Sequence, residues 1–302
     1  MGHAQDPRWP AATSLFRAIT RDGRRSAALL GVHTFSSSVT PRSPRSTPAA
    51  VREALQRYST YSWLDGVDLL DTVDVVDVGD VEDPDGVEGR DRVAAAVAAV
   101  DSRCELLIAL GGDNSATFVV LSALAGDELP TWGLVTLDAH LDLRDGHSNG
   151  SPIRELLEAG LDGAHVVQVG LADFSNSLSY AQDAASAGIT VIPRHAVRDR
   201  TIADVVGQAV DVAGAGGRKV YVDIDLDVVD RAAVPGCPAS APGGLSADEV
   251  RVAARLLAAD SRVRAIDITE VDVERDADDE RTVRLAALVL LEVLAGLVRR
   301  PG

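Results

Sequence analysis

Two acidic segments carry the residues of this chain that are best suited to chemistry. The segment TLDAHLDLRD places Asp138, His140 and Asp142 at alternate positions directly after an apolar run. The segment YVDIDLDVVD spaces its aspartates in the same way, at Asp223, Asp225, Asp227 and Asp230. If each strand continues through its segment, the alternate residues lie on one face of the strand. Both segments would then gather carboxylates at the end of a buried strand.

Carboxylates gathered in this way favour a bound cation. Like charges repel unless a cation lies between them, and burying an unpaired carboxylate is costly. Oxygen ligands with a single imidazole suit Mn²⁺ or Mg²⁺ better than Zn²⁺, and a bridging pair of such ions activates one water. A lone aspartate is more simply a solvated loop residue or a helix cap. Two separate clusters, each ending an apolar run, indicate a metal centre.

A third segment, LLIALGGDNSATF, points to a similar place. Gly111 and Gly112 follow an apolar run, and two glycines let the chain turn sharply and approach a neighbour closely. Asn114 follows two residues later, and its amide is a weak ligand and no general base. The segment therefore predicts a prepared site that holds an unusually weak polar group.

The elements that must position these residues alternate between strands and helices. Eight apolar, β-rich runs are found at 27–32, 73–79, 106–112, 132–140, 165–173, 189–194, 219–230 and 263–272. Helices are predicted between them at 48–59, 88–101, 152–160, 200–213, 246–259 and 280–299. This alternation predicts a mostly parallel sheet covered on both faces, in which ligands gather at the carboxyl ends of the strands. The unusual polar residues fall at those ends.

Length and composition limit the remaining choices. The chain has 302 residues, of which 46% are apolar, enough for one large domain. We expect residues 26–302 to form that domain and residues 1–25 to be a looser N-terminal segment. The formal net charge of −17 argues against nucleic acid, for which a basic stripe is the usual footprint.

Localisation is predicted from what the sequence lacks. There is no apolar run of membrane-spanning length and no apolar signal core near the start. The two cysteines, Cys104 and Cys237, have no metal-finger spacing and are expected to be reduced and structural. We therefore expect a cytoplasmic protein that binds neither membrane nor nucleic acid.

Taken in order, the motifs resemble the ureohydrolase family, which includes arginase, agmatinase and formimidoylglutamase. The matching segments are GGDNS (111–115), DAHLD (138–142), NGSPIR (149–154), DLDVVD (225–230) and Glu270 in ITEVD. The resemblance spans roughly residues 26–300. It implies an arginase-like, three-layer α/β/α sandwich with an eight-stranded, mostly parallel sheet. It also implies two Mn²⁺ per subunit and hydrolysis of a C–N bond in a guanidine or amidine.

Carried across position by position, the resemblance implies a role for each polar residue. The metal ligands would be Asn114, Asp138, His140, Asp142, Asp225 and Asp227. Asp138 and Asp225 would bridge the two ions, which would convert a shared water to hydroxide. Asp142 would accept the proton of that hydroxide and pass it to the leaving nitrogen. Glu270 would face the cationic amidinium and orient it.

Asn114 departs from the common family pattern, which has histidine at this position. An amide oxygen is uncharged and binds Mn²⁺ more weakly than imidazole, so we expect the first metal site to be weak or partly occupied. Asn149 stands before Gly150 where arginase and agmatinase carry histidine, and both asparagines are associated with formimidoylglutamase. His147 lies near the place of arginase's proton-shuttling histidine, but a lone loop histidine is more often just exposed.

Three residues are candidates for binding substrate. Arg144 lies two residues after Asp142, and a guanidinium there would pair bidentately with a carboxylate. Agmatine has no carboxylate, whereas formimidoylglutamate has two. Arg154, at the start of a predicted helix, is a second candidate, and we favour Arg144 for direct contact. Asn149 is the third.

The resemblance is greatest to formimidoylglutamase. It implies Mn²⁺-dependent conversion of N-formimidoyl-L-glutamate and water to L-glutamate and formamide, as in histidine degradation. Two alternatives stay open: a guanidino-acid hydrolase that releases urea, and a non-catalytic family member, which Asn114 alone supports. The expected partner is a small amidine or guanidine that carries carboxylate. The family tends towards trimers and hexamers, so we also expect a homo-oligomer.

Overall fold

The structure, a computed structural model, describes residues 6, 8–16, 25–100 and 104–301. Ten strands follow one another along these residues. They are β1 (Arg25–Val32), β2 (Tyr61–Ser62), β3 (Val67–Asp68), β4 (Val73–Asp80), β5 (Leu106–Gly111), β6 (Trp132–Leu137), β7 (Val166–Val169), β8 (Thr190–Ile192), β9 (Lys219–Asp225) and β10 (Val263–Thr269).

Eight of the strands form one sheet, in the order β4-β1-β5-β10-β9-β6-β7-β8, and every neighbouring pair is parallel. Each of the eight predicted runs overlaps one of these strands. The central strands β5 and β6 are buried along their whole length, as expected of a parallel sheet with both faces covered. The short strands β2 and β3 pair antiparallel in a separate hairpin.

Helices cover both faces of the sheet. Those in the described residues are α1 (Thr47–Ala54), α2 (Leu69–Thr72), α3 (Gly86–Val100), α4 (Ser115–Ala125), α5 (Pro152–Glu158), α6 (Leu178–Ala187), α7 (Arg194–Arg198), α8 (Ile202–Ala213), α9 (Ala247–Ala259) and α10 (Arg281–Val298). One apolar core lies between the sheet and α1, α8, α9 and α10, and a second lies between the sheet and α3 to α6. The prediction of a three-layer α/β/α sandwich is confirmed.

Local sequence explains where several helices begin. Ser246 starts α9 with a complete capping box, because its hydroxyl accepts from Glu249 N–H and the Glu249 carboxylate accepts from Ser246 N–H. Ser46 caps α1, which carries proline in its first turn. Four helices were not predicted: the short α2 and α7 and the longer α4 and α6. Seven of the eleven residues of α4 are buried, so it lacks the polar face that reveals a surface helix in a sequence.

Part of the N-terminal segment packs against the domain. Ala12 and Leu15 are buried in a short 3₁₀ turn, and Phe16 forms a β-bridge with Val75 of β4. The looser segment that we expected over residues 1–25 is therefore anchored at residues 11–16. Residues 1–5, 7 and 17–24 lie outside the described residues.

Candidate metal centre and substrate pocket

Four neighbouring strands at the centre of the sheet end at one place. β9 ends on Asp225, Asp138 follows β6, and Glu270 follows β10. Asn114 follows β5 and directly precedes α4. Because β5, β10, β9 and β6 are consecutive in the sheet, side chains that are far apart in the sequence meet at its carboxyl edge.

Gly112 allows the close approach that this edge requires. A Cβ atom on Gly112 would lie 2.2 Å from the carbonyl oxygen of Thr34, and this separation is too short for any residue other than glycine. The Gly112 carbonyl accepts a hydrogen bond from Glu270 N–H at 2.9 Å, and Asn114 N–H donates to Glu270 Oε1 at 2.9 Å. The predicted close approach thus occurs within the chain, and it fixes Glu270 beside Asn114.

Strand alternation does not bring the ligands together as we expected. β6 ends at Leu137, so Asp138, His140 and Asp142 lie in the following loop. Asp142 has a φ of +50°, a left-handed conformation that costs energy for a non-glycine residue. Asp227 likewise lies in a 3₁₀ turn beyond β9, where its N–H donates to Asp225 Oδ1 at 2.8 Å. Loop and turn geometry, rather than a continuing strand, directs these side chains to the site.

The acidic side chains form two groups that could each hold a metal ion. One group contains Asp138, His140 and Asp227, and the other contains Asp138, Asp142 and Asp225. Within each group, one potential ligand atom from every residue lies within 4.8 Å of the others. Asp138 belongs to both groups. This arrangement matches a pair of neighbouring ion sites that share a carboxylate.

The electrostatics of the cluster also fit a divalent cation. Burial, together with the Asp227 charge, raises the pKa of Asp138 to about 6, and its Oδ2 accepts no hydrogen bond from any described residue. Burial raises the pKa of Asp142 and of Asp225 well above the ordinary range. Burial lowers the pKa of His140, but Asp227 and Asp138 outweigh it and raise this pKa to about 11. The raised pKa values mean that the ionised carboxylates are unfavourable in the metal-free protein. A bound cation would stabilise this ionised form.

Asn114 lies beside this cluster. Its amide nitrogen donates to Asp142 Oδ2 at 2.8 Å, and its oxygen lies 2.8 Å from the hydroxyl of Thr117 and accepts from the hydroxyl of Thr269 at 3.1 Å. In this orientation the amide nitrogen, rather than the oxygen, faces the acidic residues.

Glu270 is held from three sides. Its Oε1 accepts from Asn114 N–H and from Asn149 Nδ2, each at 2.9 Å. Its Oε2 pairs with the guanidinium of Arg42. Glu270 has a φ of +66°, so the backbone adopts an unfavourable conformation to aim this side chain. Arg42 was missed in the sequence because it stands alone in a loop, about 230 residues from its partner.

A cleft with a volume of about 130 Å³ opens above these groups. Its walls include Arg42, His140, Asp142, Arg144, Asn149 and Glu270. Arg144 is exposed at this cleft, and Asn149 is fixed by Val39 N–H, which donates to its Oδ1 at 2.9 Å. Two of the three residues expected to bind substrate therefore line the same cleft as the acidic groups.

Arg154 and His147 lie elsewhere. The Arg154 guanidinium donates to the Leu143 carbonyl at 2.8 Å and to Asp183 at 3.1 Å, so it braces the loop after β6 and does not line the cleft. We therefore correct the expectation that Arg154 binds substrate. His147 is exposed and its Nδ1 lies 2.9 Å from Glu155, outside the lining of the cleft.

A layer of buried polar residues supports the site from below. Asp267 Oδ2 accepts hydrogen bonds from Tyr221 Oη and Thr117 Oγ1, both at 2.8 Å. Asp223 lies beside Asp267 on the neighbouring strand, and burial together with the Asp267 charge raises its pKa well above the ordinary range. Asp223 therefore belongs to this lower layer and not to either ligand group.

The two cysteines are free thiols. Both lie in the described part of the chain and no disulfide joins them: Cys104 is half-buried, and Cys237 is fully buried in the loop that forms one side of the cleft. Burial raises the pKa of the Cys237 thiol.

Among the described residues, no helix combines the length and apolar character needed to cross a membrane.

Comparison with known proteins identifies the family. The model of the arginase family matches residues 25–296. Formimidoylglutamase from Bacillus subtilis is 32% identical over 292 residues, which cover 93% of this chain and 91% of that protein. The chain therefore belongs to the arginase family.

Further similarities extend this assignment. Formimidoylglutamase from Halalkalibacterium halodurans is 41% identical over 194 residues, covering 63% of this chain and 60% of that protein. The crystal structure of the Bacillus subtilis formimidoylglutamase has a TM-score of 0.90 at 29% identity and covers 100% of this chain and 96% of its own. A structure of Trypanosoma cruzi formiminoglutamase with Mn²⁺ shares the fold, with a TM-score of 0.85 at 22% identity, covering 97% and 100% of the two chains.

Proposed function

We propose that this protein hydrolyses N-formimidoyl-L-glutamate to L-glutamate and formamide and uses two Mn²⁺ ions. One observation carries the proposal: two acidic groups share the buried Asp138 beneath a cleft that Asp142 and Asp225 line together with Glu270 and Asn149. The similarity to formimidoylglutamases over nearly the whole chain supports the choice of substrate. This substrate carries one amidine and two carboxylates, so a site that binds it must offer both acidic and basic side chains.

The acidic groups would hold the metal ions. Oxygen ligands with one imidazole, from His140, suit Mn²⁺. When bound, such ions would lower the pKa of a water and so supply the nucleophile. Asp138 and Asp225 would serve both ion sites, and His140 and Asp227 would complete the second.

We propose that Asn114 ligates the first ion, together with Asp142, through its amide oxygen. This requires the amide to rotate by half a turn, so that its nitrogen faces Thr117 and Thr269. The rotation exchanges the oxygen and nitrogen positions of the amide and leaves its shape nearly unchanged. A hydroxyl carries a single hydrogen, and Thr117 lies 2.8 Å from both the amide oxygen of Asn114 and Asp267 Oδ2. If Thr117 donates to the Asp267 carboxylate, its oxygen is free to accept from the amide nitrogen of Asn114.

The chain's own residues would bind the substrate and move the proton. Glu270 would hold the amidinium so that its carbon faces the acidic groups, and Asn149 keeps Glu270 in place. Asp142 would take a proton from the attacking water and deliver it to the leaving nitrogen as the C–N bond breaks. The water oxygen leaves in formamide and the protonated nitrogen leaves as the amine of glutamate. Arg144 at the cleft would bind a substrate carboxylate.

Product identification tests the proposal. Purified protein is loaded with Mn²⁺ and incubated with N-formimidoyl-L-glutamate, and glutamate and formamide are measured against metal-free protein as the control. We expect both products in equal amounts and only with metal. No turnover at saturating Mn²⁺, or release of urea from guanidino acids with formimidoylglutamate left intact, would contradict the proposal.

We also propose that the protein acts in the cytoplasm as a trimer or hexamer of a single-domain subunit. The exposed side chains of Trp63 and Leu64, on the hairpin between β2 and β3, support a contact with another subunit, because monomers rarely expose neighbouring large apolar groups. Light scattering on purified protein measures the mass directly, and a monomer at micromolar concentration would contradict this.

A further inference from the structure

We propose that Arg42 binds the substrate carboxylate that lies next to the reacting amidine, the α-carboxylate of N-formimidoyl-L-glutamate. This inference rests on the proposed function and adds a residue that neither the motifs nor the comparisons assign. It also assigns a specificity to the site: amidines carried on the nitrogen of an α-amino acid.

The first observation is the incomplete pairing of a buried charge. The Arg42 side chain is only 3% exposed, and its Nη2 pairs with Glu270. Its Nε and Nη1 donate to no acceptor in the described part of the chain. Buried N–H groups are costly when unpaired, and those of a guanidinium are best satisfied by a carboxylate. Since Arg42 also lines the cleft, a ligand there can supply that carboxylate.

The second observation is that the loop holding Arg42 is fixed at both ends. On one side, Val39 N–H donates to Asn149 Oδ1 at 2.9 Å. On the same side, Arg275 donates to the carbonyl of Pro41 at 3.0 Å, and on the other side Thr47 Oγ1 donates to the carbonyl of Val271 at 2.8 Å. The backbone that carries Arg42 is therefore anchored on both sides of this residue, beside the cleft that its side chain lines.

The third observation is how the pair matches the substrate. Glu270 and Arg42 place a negative and a positive group in direct contact on one wall. In N-formimidoyl-L-glutamate the amidine nitrogen is bonded to the carbon that carries the α-carboxylate, so a cation and an anion are also adjacent. With the amidinium at Glu270, the α-carboxylate meets Arg42, and Arg144 is left for the distal carboxylate. A guanidino group separated from its carboxylate by a chain of several carbons cannot place both charges on this pair.

The test uses two substrates that differ only in this carboxylate. N-Formimidoyl-L-glutamate is compared with 4-(formimidoylamino)butanoate, which lacks the α-carboxylate and keeps the distal one. We expect Arg42→Gln to lower kcat/KM for the first substrate on the order of 100-fold and for the second by less than about 3-fold. Arg42→Lys keeps the charge without the planar fork, and we expect it to restore part of the loss.

Controls separate this role from a structural one. Arg45→Gln changes an exposed arginine of the same loop outside the cleft, and we expect it to leave both substrates unaffected. Metal content and Tm of each variant show whether it is folded and loaded. Equal loss on both substrates would mean that Arg42 acts only through Glu270, and faster turnover in Arg42→Gln would mean that Arg42 obstructs the site. Either result overturns the proposal.

A binding measurement keeps the two proposals distinguishable. If the wild-type protein hydrolyses neither substrate, the proposed function fails, and calorimetry with Mn²⁺-loaded protein then decides the role of Arg42. We expect L-glutamate to bind at least about 10-fold more tightly than 4-aminobutanoate, which lacks the α-carboxylate, and Arg42→Gln to abolish this preference. Equal affinity of the wild-type protein for both ligands would refute the role of Arg42.

Discussion

The two walls of the cleft differ in how their charges are balanced. On and beneath the acidic wall, Asp138, Asp142 and Asp225 share one basic neighbour among the described residues, His140, and burial raises the pKa of each of the three carboxylates. On the opposite wall, Glu270 already has a cationic partner in Arg42. The ionised acidic wall is therefore stable only with a bound cation. The charges of Glu270 and Arg42 on the opposite wall cancel, so that wall suits a ligand that itself carries both a positive and a negative charge.

The largest effect is expected from removing Asp138, the carboxylate that both candidate ligand groups share. We expect Asp138→Asn to remove bound metal and to lower kcat/KM by at least about 1,000-fold, because it removes one ligand from each group. Metal analysis and steady-state kinetics measure both effects. Asp230→Asn is the matched control, since Asp230 lies in the second acidic segment but bonds only to loop N–H groups. A fully metal-loaded Asp138→Asn variant would contradict the assignment.

The opposite wall should respond differently. We expect Glu270→Gln to keep its metal and to lower kcat/KM about 100-fold, because the amidinium loses its charged partner while the ligand groups stay intact. Arg42 would also be left as an unpaired buried charge, so a lower Tm is expected. The two variants together separate the walls: one loses metal and the other does not. Loss of metal in Glu270→Gln would show that the division is wrong.

Asn114 contacts both walls, because its amide nitrogen donates to Asp142 and its backbone N–H donates to Glu270. We expect Asn114→His to raise Mn²⁺ occupancy of the first site, with roughly 10-fold tighter binding, because imidazole is a stronger ligand than an amide. Equilibrium dialysis against Mn²⁺ gives the stoichiometry and the affinity. Unchanged occupancy would mean that Asn114 is not a ligand and that its amide nitrogen serves Asp142 instead.

The smallest expected effect is a pH dependence confined to the acidic wall. Burial raises the pKa of Asp138 from 3.8 to about 6, so the folded metal-free protein holds this proton more tightly than the unfolded chain does. The resulting stability is fully present below about pH 4 and is lost as the pH rises through 6. Mn²⁺ needs the ionised carboxylate and competes with that proton. The increase in Tm caused by Mn²⁺ should therefore be larger at pH 8 than at pH 5, and an equal increase would contradict this.

The acidic wall was predictable because its residues are close together in the sequence. Asp138, His140 and Asp142 follow one strand, and Asp225 ends another with Asp227 in the turn after it, so apolar runs and spacing were enough to group them. The fold was predictable for a related reason: eight buried parallel strands appear as eight apolar runs. The exact strand ends were not, because apolar residues continue past Leu137 into a loop with its own hydrogen bonds.

The opposite wall was only partly predictable. Glu270 and Asn149 were found through a family resemblance, but Arg42 reaches Glu270 only after the whole sheet has formed. Nothing near Arg42 in the sequence distinguishes it from Arg45, which is exposed. Arg154 shows the converse: it looked like a substrate ligand, yet its guanidinium is used by the Leu143 carbonyl and Asp183. Tertiary contacts decide which arginines are free to bind a ligand.

Diffraction from crystals grown with Mn²⁺ and L-glutamate, recorded at the manganese absorption edge, tests the division between the walls most directly. We expect two anomalous peaks, both on the acidic wall and both in contact with Asp138. We expect the α-carboxylate of glutamate to lie on Arg42, with its amine towards Glu270. Peaks at Glu270, no peak among the acidic residues, or a glutamate whose α-carboxylate avoids Arg42 would contradict the account.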